Sequence, residues 1–395
     1  MKESFFDRIQ ESGCAFYQKI NTMKLPFHPL FLWAAILSPC FALAQADFAK
    51  VDAHARSMRF PERQNVALLT HDLVTDLKTE KEKARAIYVW IADHIRYDLK
   101  TGTDNHADAE VVLEKQKPAA VLKSGKAICE GYSNLFSAMC AAAGLTGITA
   151  SGDSKNDDGK VRPDGHAWNL VRVDGVWGLI DVTWGAGAVD EKTGKYRQKF
   201  NERYFLVSPE VFIADHYPDD PLFQLLVSPI DFQEFKQSPE RRAATSSSNA
   251  KEKTPLFPAL SDSLDRFAAL DSNARILNSS LRILRFDPNN GTANFELALR
   301  QYNQAAAFFN RFQSDMNALV KSKKQPGRAM LQQCDTYLRN AETALETAQQ
   351  MLLRIRPGDK YHESAKDLRK EVKEKLTFCS DAKKRNGEMM AKAKG

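Results

Sequence analysis

Two alternating segments, 166–173 and 176–183, meet at Asp174-Gly175, and no other stretch limits the fold as much. An Asp-Gly pair between alternating runs is a strong signal for a two-residue hairpin turn. With the turn centred there, Trp168 is predicted to face Asp181 and His166 to face Thr183. Side chains on a strand alternate between faces, so His166 and Asp181 are predicted to be diagonal neighbours on one face. Diagonal pairs lie about 7–8 Å apart at the backbone, within reach of an imidazole and a carboxylate.

The hairpin follows a helix that the spacing predicts to begin at Cys129. Tyr132, Leu135, Phe136, Met139, Cys140 and Ala143 repeat at helical intervals, and Gly144 is a natural stop. The amino end of a helix carries partial positive charge, which favours a thiolate placed there. Cys140 is eleven residues further on, about 16 Å along the axis, and reads as a small core residue. Residues 146–152 are predicted to be a strand. Residues 154–163 are rich in Asp, Asn and Gly, but a calcium loop starting at Ser154 would end on Gly165 instead of Glu, so a turn is expected.

Cys129, His166 and Asp181 thus occur in contexts that suit nucleophile, base and orienting carboxylate. In this scheme Cys129 attacks an amide carbon, His166 pairs with the thiolate and protonates the leaving amine, and Asp181 fixes the imidazole tautomer. The Cys129 N–H is one candidate oxyanion donor. A lone Cys at a helix start or a lone His on a strand is usually structural. It is their combination with the hairpin that points to chemistry. His54 and His71 have no partner at ligand spacing and read as surface or packing residues, so no metal or cofactor is expected.

Upstream, residues 47–80 are expected to be helical, and 80–97 form a strong amphipathic helix with Ala84, Ile87, Tyr88, Ile91 and Ile95 on one stripe and Trp90 in packing. Pro118 starts a short helix that ends by Ser124-Gly125. Downstream, Tyr204-Phe205-Leu206 is expected to be a short strand, followed by the Pro-rich His216-Tyr217-Pro218-Asp219-Asp220-Pro221. Residues 237–259 read as a linker. Beyond it, 292–322, 327–355 and 360–386 are long periodic helices separated by Pro326-Gly327 and Pro357-Gly358, which implies a bundle or helical hairpin. Residues 321–395 carry 18 Lys+Arg against 10 Asp+Glu, a local +8 within a net +6. A solvated helix face accounts for that charge. The absence of interleaved aromatics argues against nucleic-acid binding.

The apolar run at residues 30–37 is too short to span a bilayer, and Ala42-Leu43-Ala44 follows it as a small-residue cleavage site. The expectation is a leader over 1–44, with Met23 as the true start and a mature chain from near Gln45. This implies export to a periplasm or the medium, on the assumption of a bacterial leader, with no stable membrane insertion. Pro39 just before Cys40 counts against a lipoprotein box. In an oxidising compartment, Cys334 and Cys379, level on either side of the Pro357 turn, are expected to form a disulfide.

Residues 83–98, Cys-Glu-Gly-Tyr-Ser at 129–133, His-Ala-Trp-Asn at 166–169 and Asp-Val-Thr-Trp-Gly-Ala-Gly at 181–187 together resemble the transglutaminase-like superfamily. The kyphoscoliosis-peptidase-like branch, with Tyr204-Phe205-Leu206 and Tyr-Pro-Asp-Asp-Pro at 217–221, is the most similar. The resemblance covers about residues 80–230. It implies a papain-like α+β core over 45–236, with Cys129, His166 and Asp181 as a triad, and Tyr132 and Trp184 as packing or cleft wall. The all-α domain expected over 260–395 has no counterpart in it. The implied activity is acyl transfer on protein or peptide amides through a thioester. Peptidase action is favoured, and the alternatives are a crosslinking transglutaminase or deamidase, or a non-catalytic binding module. The C-terminal helices are a candidate surface for a protein partner.

Overall fold

The computed structural model describes residues 48–60, 65–103, 109–190, 193–237, 256–257, 259–322, 325–359 and 361–392. The expected leader, Met23 start and Cys40 lie outside them, as do residues 238–255 and 258 of the expected linker.

The segment expected to be helical over 47–80 contains two helices, α1 (Ala49–Ser57) and α2 (Val66–Val74). Helix α3 (Glu80–His94) begins at a capping box, in which Thr79 accepts the Glu82 N–H and the Glu82 carboxylate accepts the Thr79 N–H. Its apolar stripe is buried from Ala84 to Ala92, and Trp90 donates its indole N–H to the Met58 carbonyl at 3.1 Å. Helix α4 (Pro118–Ser124) ends at Gly125, whose φ of 64° is the left-handed conformation that glycine takes without a Cβ penalty.

Helix α5 (Cys129–Ala142) follows, with Tyr132, Leu135, Phe136, Met139 and Cys140 buried. The sheet beside it has four antiparallel strands: β1 (Thr146–Ser154), β2 (His166–Val173), β3 (Val176–Ile180) and β4 (His216–Pro218). Their spatial order is β3-β2-β1-β4. The hairpin register is the predicted one, with Val173 opposite Val176 and Asn169 opposite Ile180. The pairing stops there, so the expected His166–Thr183 pair does not form. Asp181 instead N-caps helix α6 (Val182–Ala186), accepting the Trp184 N–H at 3.1 Å, and His166 lies opposite Gly152 on β1. Capping satisfies an orphan helix donor, and here that takes the chain out of the sheet one residue before the carboxylate.

Both faces of the sheet are covered, which is why β2 is buried along almost its whole length. On one face, Val171 and Ile180 join Ile87, Trp90, Tyr132 and Phe136. On the other, Ile148, Trp168, Leu170 and Leu179 meet Phe212, Leu222 and Phe223. Helix α7 (Leu260–Ala268) adds Leu264 and Phe267 to this second core. Trp177 donates its indole N–H to Asp265 at 2.9 Å, and Arg282 of helix α8 (Ser272–Phe286) grips Asp220 with two bonds of 2.6 and 2.7 Å.

The expected strand at Tyr204-Phe205-Leu206 is not formed. Glu202–Tyr204 is a 3₁₀ turn, Leu206 has a φ of 50°, and only Val207 bridges to Leu179. The positive φ at Leu206 breaks the extended run.

Three long helices close the described chain, α9 (Gly291–Ser322), α10 (Arg328–Leu352) and α11 (His362–Lys392). They share a core of Ala298, Ala305, Ala341, Leu345, Leu352, Leu368 and Val372. The expected Cys334–Cys379 disulfide is not present; both are free, buried thiols. The helix register explains this. Asn386 donates to the Leu331 carbonyl and Lys383 pairs with Glu342, so the level opposite Cys334 falls near residues 383–391. That is at least one turn, about 6 Å, beyond Cys379. Among the described residues, no helix is long and apolar enough to cross a membrane.

Candidate active site

The site lies where the amino end of α5 meets β2 and the Asp181 cap. Ile128, the residue before Cys129, offers no side-chain cap, so nothing from that position competes for the first-turn N–H groups. The Ile128 N–H is instead anchored to the buried Gln116 side chain at 3.0 Å. Gly131 makes room for this, since a Cβ there would run into Gln116 Oε1 and Val121. Asn169 of β2 fixes the helix to the sheet, donating to the Ser133 carbonyl at 3.0 Å and to Ser137 Oγ at 2.9 Å. Cys129, at the helix start, keeps partial solvent access, while Cys140 is fully buried.

His166 Nε2 lies 2.8 Å from Asp181 Oδ2. Cys129 lies close enough to act on the same imidazole and favours its charged form. The three residues read from the sequence are thus brought together, with a hydrogen bond between His166 and Asp181. Burial disfavours the charged imidazole, but the Asp181 carboxylate and then Cys129 outweigh it and lift the His166 pKa to about 10. Burial alone would raise Asp181, but His166 and a second histidine, His216, hold its carboxyl well below the usual carboxylate range. At neutral pH the pair is imidazolium and carboxylate. Burial, and after it the nearby Cys129, pushes the Tyr97 phenol upward, so this hydroxyl stays protonated beside the site.

Trp184 covers the assembly, with its ring 5.2 Å from His166 and 4.4 Å from His216. Tyr132 is in the core and donates its hydroxyl to the Ile95 carbonyl at 2.6 Å. Both keep the packing role expected of them.

Sequence reasoning missed His216. It is fully buried, with Nε2 3.1 Å from Asp181 Oδ2 and Nδ1 2.6 Å from Asp215 Oδ1. Its strand has three residues and ends in proline, too short a run to signal from the sequence that it joins the sheet. Among the described residues, His166, Asp181 and His216 form a group of metal-ligand types, with ligand atoms within 4.8 Å of one another. Each of those atoms already takes part in a hydrogen bond, which a cation would have to displace.

The family model for the transglutaminase-like superfamily matches residues 68–182, the segment that contains Cys129, His166 and Asp181. Residues 68–182 form a transglutaminase-like domain. Kyphoscoliosis peptidase of Mus musculus is 37% identical to the chain over 196 residues, covering 48% of this chain and 28% of that protein. The Homo sapiens kyphoscoliosis peptidase is 36% identical over the same length and shares. Hillarin of Drosophila melanogaster is 31% identical over 212 residues, covering 49% of this chain and 25% of that protein. The chain thus spans under a third of the length of these relatives. The transglutaminase-like domain has the mixed α+β core expected of it, and the long helices follow it.

Proposed function

We propose that the chain is a cysteine acyl-transfer enzyme acting on protein or peptide amides, with Cys129, His166 and Asp181 as its catalytic residues. The observation that carries this reading is the His166–Asp181 pair, 2.8 Å apart, beside Cys129 at an uncapped helix amino end. Cys129 Sγ bonds to the amide carbon, and the carbonyl oxygen takes up the negative charge against the first-turn N–H groups. The C–N bond then breaks as His166 gives its proton to the leaving amine, leaving a thioester. Asp181 holds the imidazole in the required orientation throughout and stabilises its charge.

In the peptidase form, water attacks the thioester, His166 accepts its proton, and the C–S bond breaks to give a carboxylic acid and the restored thiolate beside the imidazolium. In a transglutaminase, an amine replaces the water. The name of the two mammalian relatives favours the peptidase form. The reading also has the chain exported, on the strength of the apolar run at 30–37 and Ala42-Leu43-Ala44. An N-terminus at Met1 in exported protein would contradict that part.

The acceptor is tested by incubating the protein with a glutamine-bearing protein and a labelled primary amine, beside a peptide-library cleavage assay. Cleavage that is lost in Cys129→Ala, without amine incorporation, is expected. Incorporation that depends on Cys129 would move the assignment to transferase. Neither activity in protein whose Cys129 is reactive would favour a binding role.

A further inference from the structure

Asp181 serves two histidines through one atom. His166 Nε2 and His216 Nε2 both lie within hydrogen-bond distance of Oδ2, at 2.8 and 3.1 Å, while Oδ1 accepts the Trp184 N–H. A carboxylate held on both oxygens cannot rotate, so its position relative to His166 is set from outside the triad. His216 is in turn held at its other nitrogen by Asp215, and Asp215 pairs with the exposed Arg203 at 3.3 Å. Both ring nitrogens of His216 thus face carboxylate oxygens. The two contacts hold the ring at both ends between the carboxylates.

The surroundings fix this ring closely. Phe212 stacks on it with centroids 4.0 Å apart, Trp184 lies at 4.4 Å, and the Trp168 ring meets it edge-on at 5.1 Å. The titratable and charged groups that face it are Asp181, Asp215, His166 at 5.5 Å and Tyr204 at 6.0 Å, with Arg203 behind Asp215. Gly152 lets β4 come this close. It lies opposite His166 on one side and Pro218 on the other, and a Cβ there would collide with the Tyr217 carbonyl.

We propose that His216 is a positioning residue for the reaction: anchored by Asp215, it fixes the Asp181 carboxylate that orients His166. This rests on the acyl-transfer reading above. His216 is fully buried and acts through Asp181. It lies outside the segment matched by the family model, on a strand that follows that segment.

The test uses the full chain with two substitutions and two readouts. His216→Phe keeps a ring between Phe212 and Trp184 but removes both ring nitrogens; His216→Gln returns a donor toward Asp181. Folding is checked by thermal melting. The first readout is the rate of Cys129 alkylation by iodoacetamide at pH 7. His216→Phe is expected to slow it about tenfold, and His216→Gln to recover most of the loss. The second is the downfield imidazole N–H resonance of His166 in ¹⁵N-histidine-labelled protein. It is expected to move in His216→Phe and to lie near its original position in His216→Gln. If folded His216→Phe has the wild-type alkylation rate and an unmoved His166 resonance, the proposal is overturned while the acyl-transfer reading stands. If wild-type Cys129 reacts no faster than an ordinary thiol, the acyl-transfer reading falls, and this proposal with it. If His216→Phe is too unstable to measure, Asp215→Ala replaces it. That change removes the anchor from the second nitrogen and is expected to move the His166 resonance in the same direction; an unmoved resonance overturns the proposal.

Discussion

At the scale of single residues, protonation of the His166–Asp181 pair decides what the site can do. The His166 pKa is raised from 6.5 to about 10, so the folded state holds its proton more tightly than the unfolded chain does. The stability this contributes is full below the unfolded value and is lost as pH rises through about 10. Asp181 behaves in the opposite sense. Its depressed pKa contributes stability above the ordinary carboxylate range, lost as pH falls. Between those limits, neutral pH finds the pair fully formed. The measurable consequence is that the melting temperature of the wild type falls between pH 7 and 10 more steeply than that of His166→Gln. Parallel curves would contradict the assignment of the proton to His166.

At the scale of elements, the site depends on how α5 is held against β2. Asn169 makes that link with two hydrogen bonds from a fully buried side chain. Asn169→Leu keeps the branched shape but removes both side-chain bonds to α5, at a cost of about 1–3 kcal/mol. We expect lower denaturant stability and a slower Cys129 alkylation than in wild type; an unchanged alkylation rate would show that the helix is positioned by other contacts.

Much of this level was legible in the sequence. The Asp174-Gly175 turn fixed the hairpin register, and helical spacing set both ends of α5, because turn chemistry and apolar periodicity are local signals. What escaped was long-range. Asp181 leaves the sheet to cap α6, and β4 is too short to show alternation. Leu206 adopts a left-handed conformation that its residue type does not announce. Cys334 and Cys379 looked level by counting from Pro357, but side-chain pairing between α10 and α11 displaced them.

At the scale of the molecule, the helices after residue 260 are not all separate from the sheet. Leu264 and Phe267 of α7 complete the second core, and Arg282 of α8 pairs in bidentate fashion with buried Asp220, two residues beyond β4. Ser279 adds a third bond to the same carboxylate, at 2.6 Å. Helix α8 therefore anchors the segment that brings His216 to Asp181. Arg282→Ala would leave Asp220 buried with its cationic partner gone, a loss of about 3 kcal/mol. The expected result in equilibrium unfolding is a lower midpoint. A midpoint within error of wild type would show that α8 contributes little to holding β4. The three long helices beyond share a core of their own.

The central claim is that Cys129 is an activated nucleophile, and its reactivity in the folded protein tests this most directly. Native protein is treated with a limiting amount of iodoacetamide, quenched and mapped by peptide mass at each cysteine. The account predicts that Cys129 is labelled well ahead of Cys140, Cys334 and Cys379, and that His166→Ala slows its labelling about tenfold or more at pH 7. Labelling of Cys129 at the rate of Cys140, or at a rate that His166→Ala leaves unchanged, would contradict it.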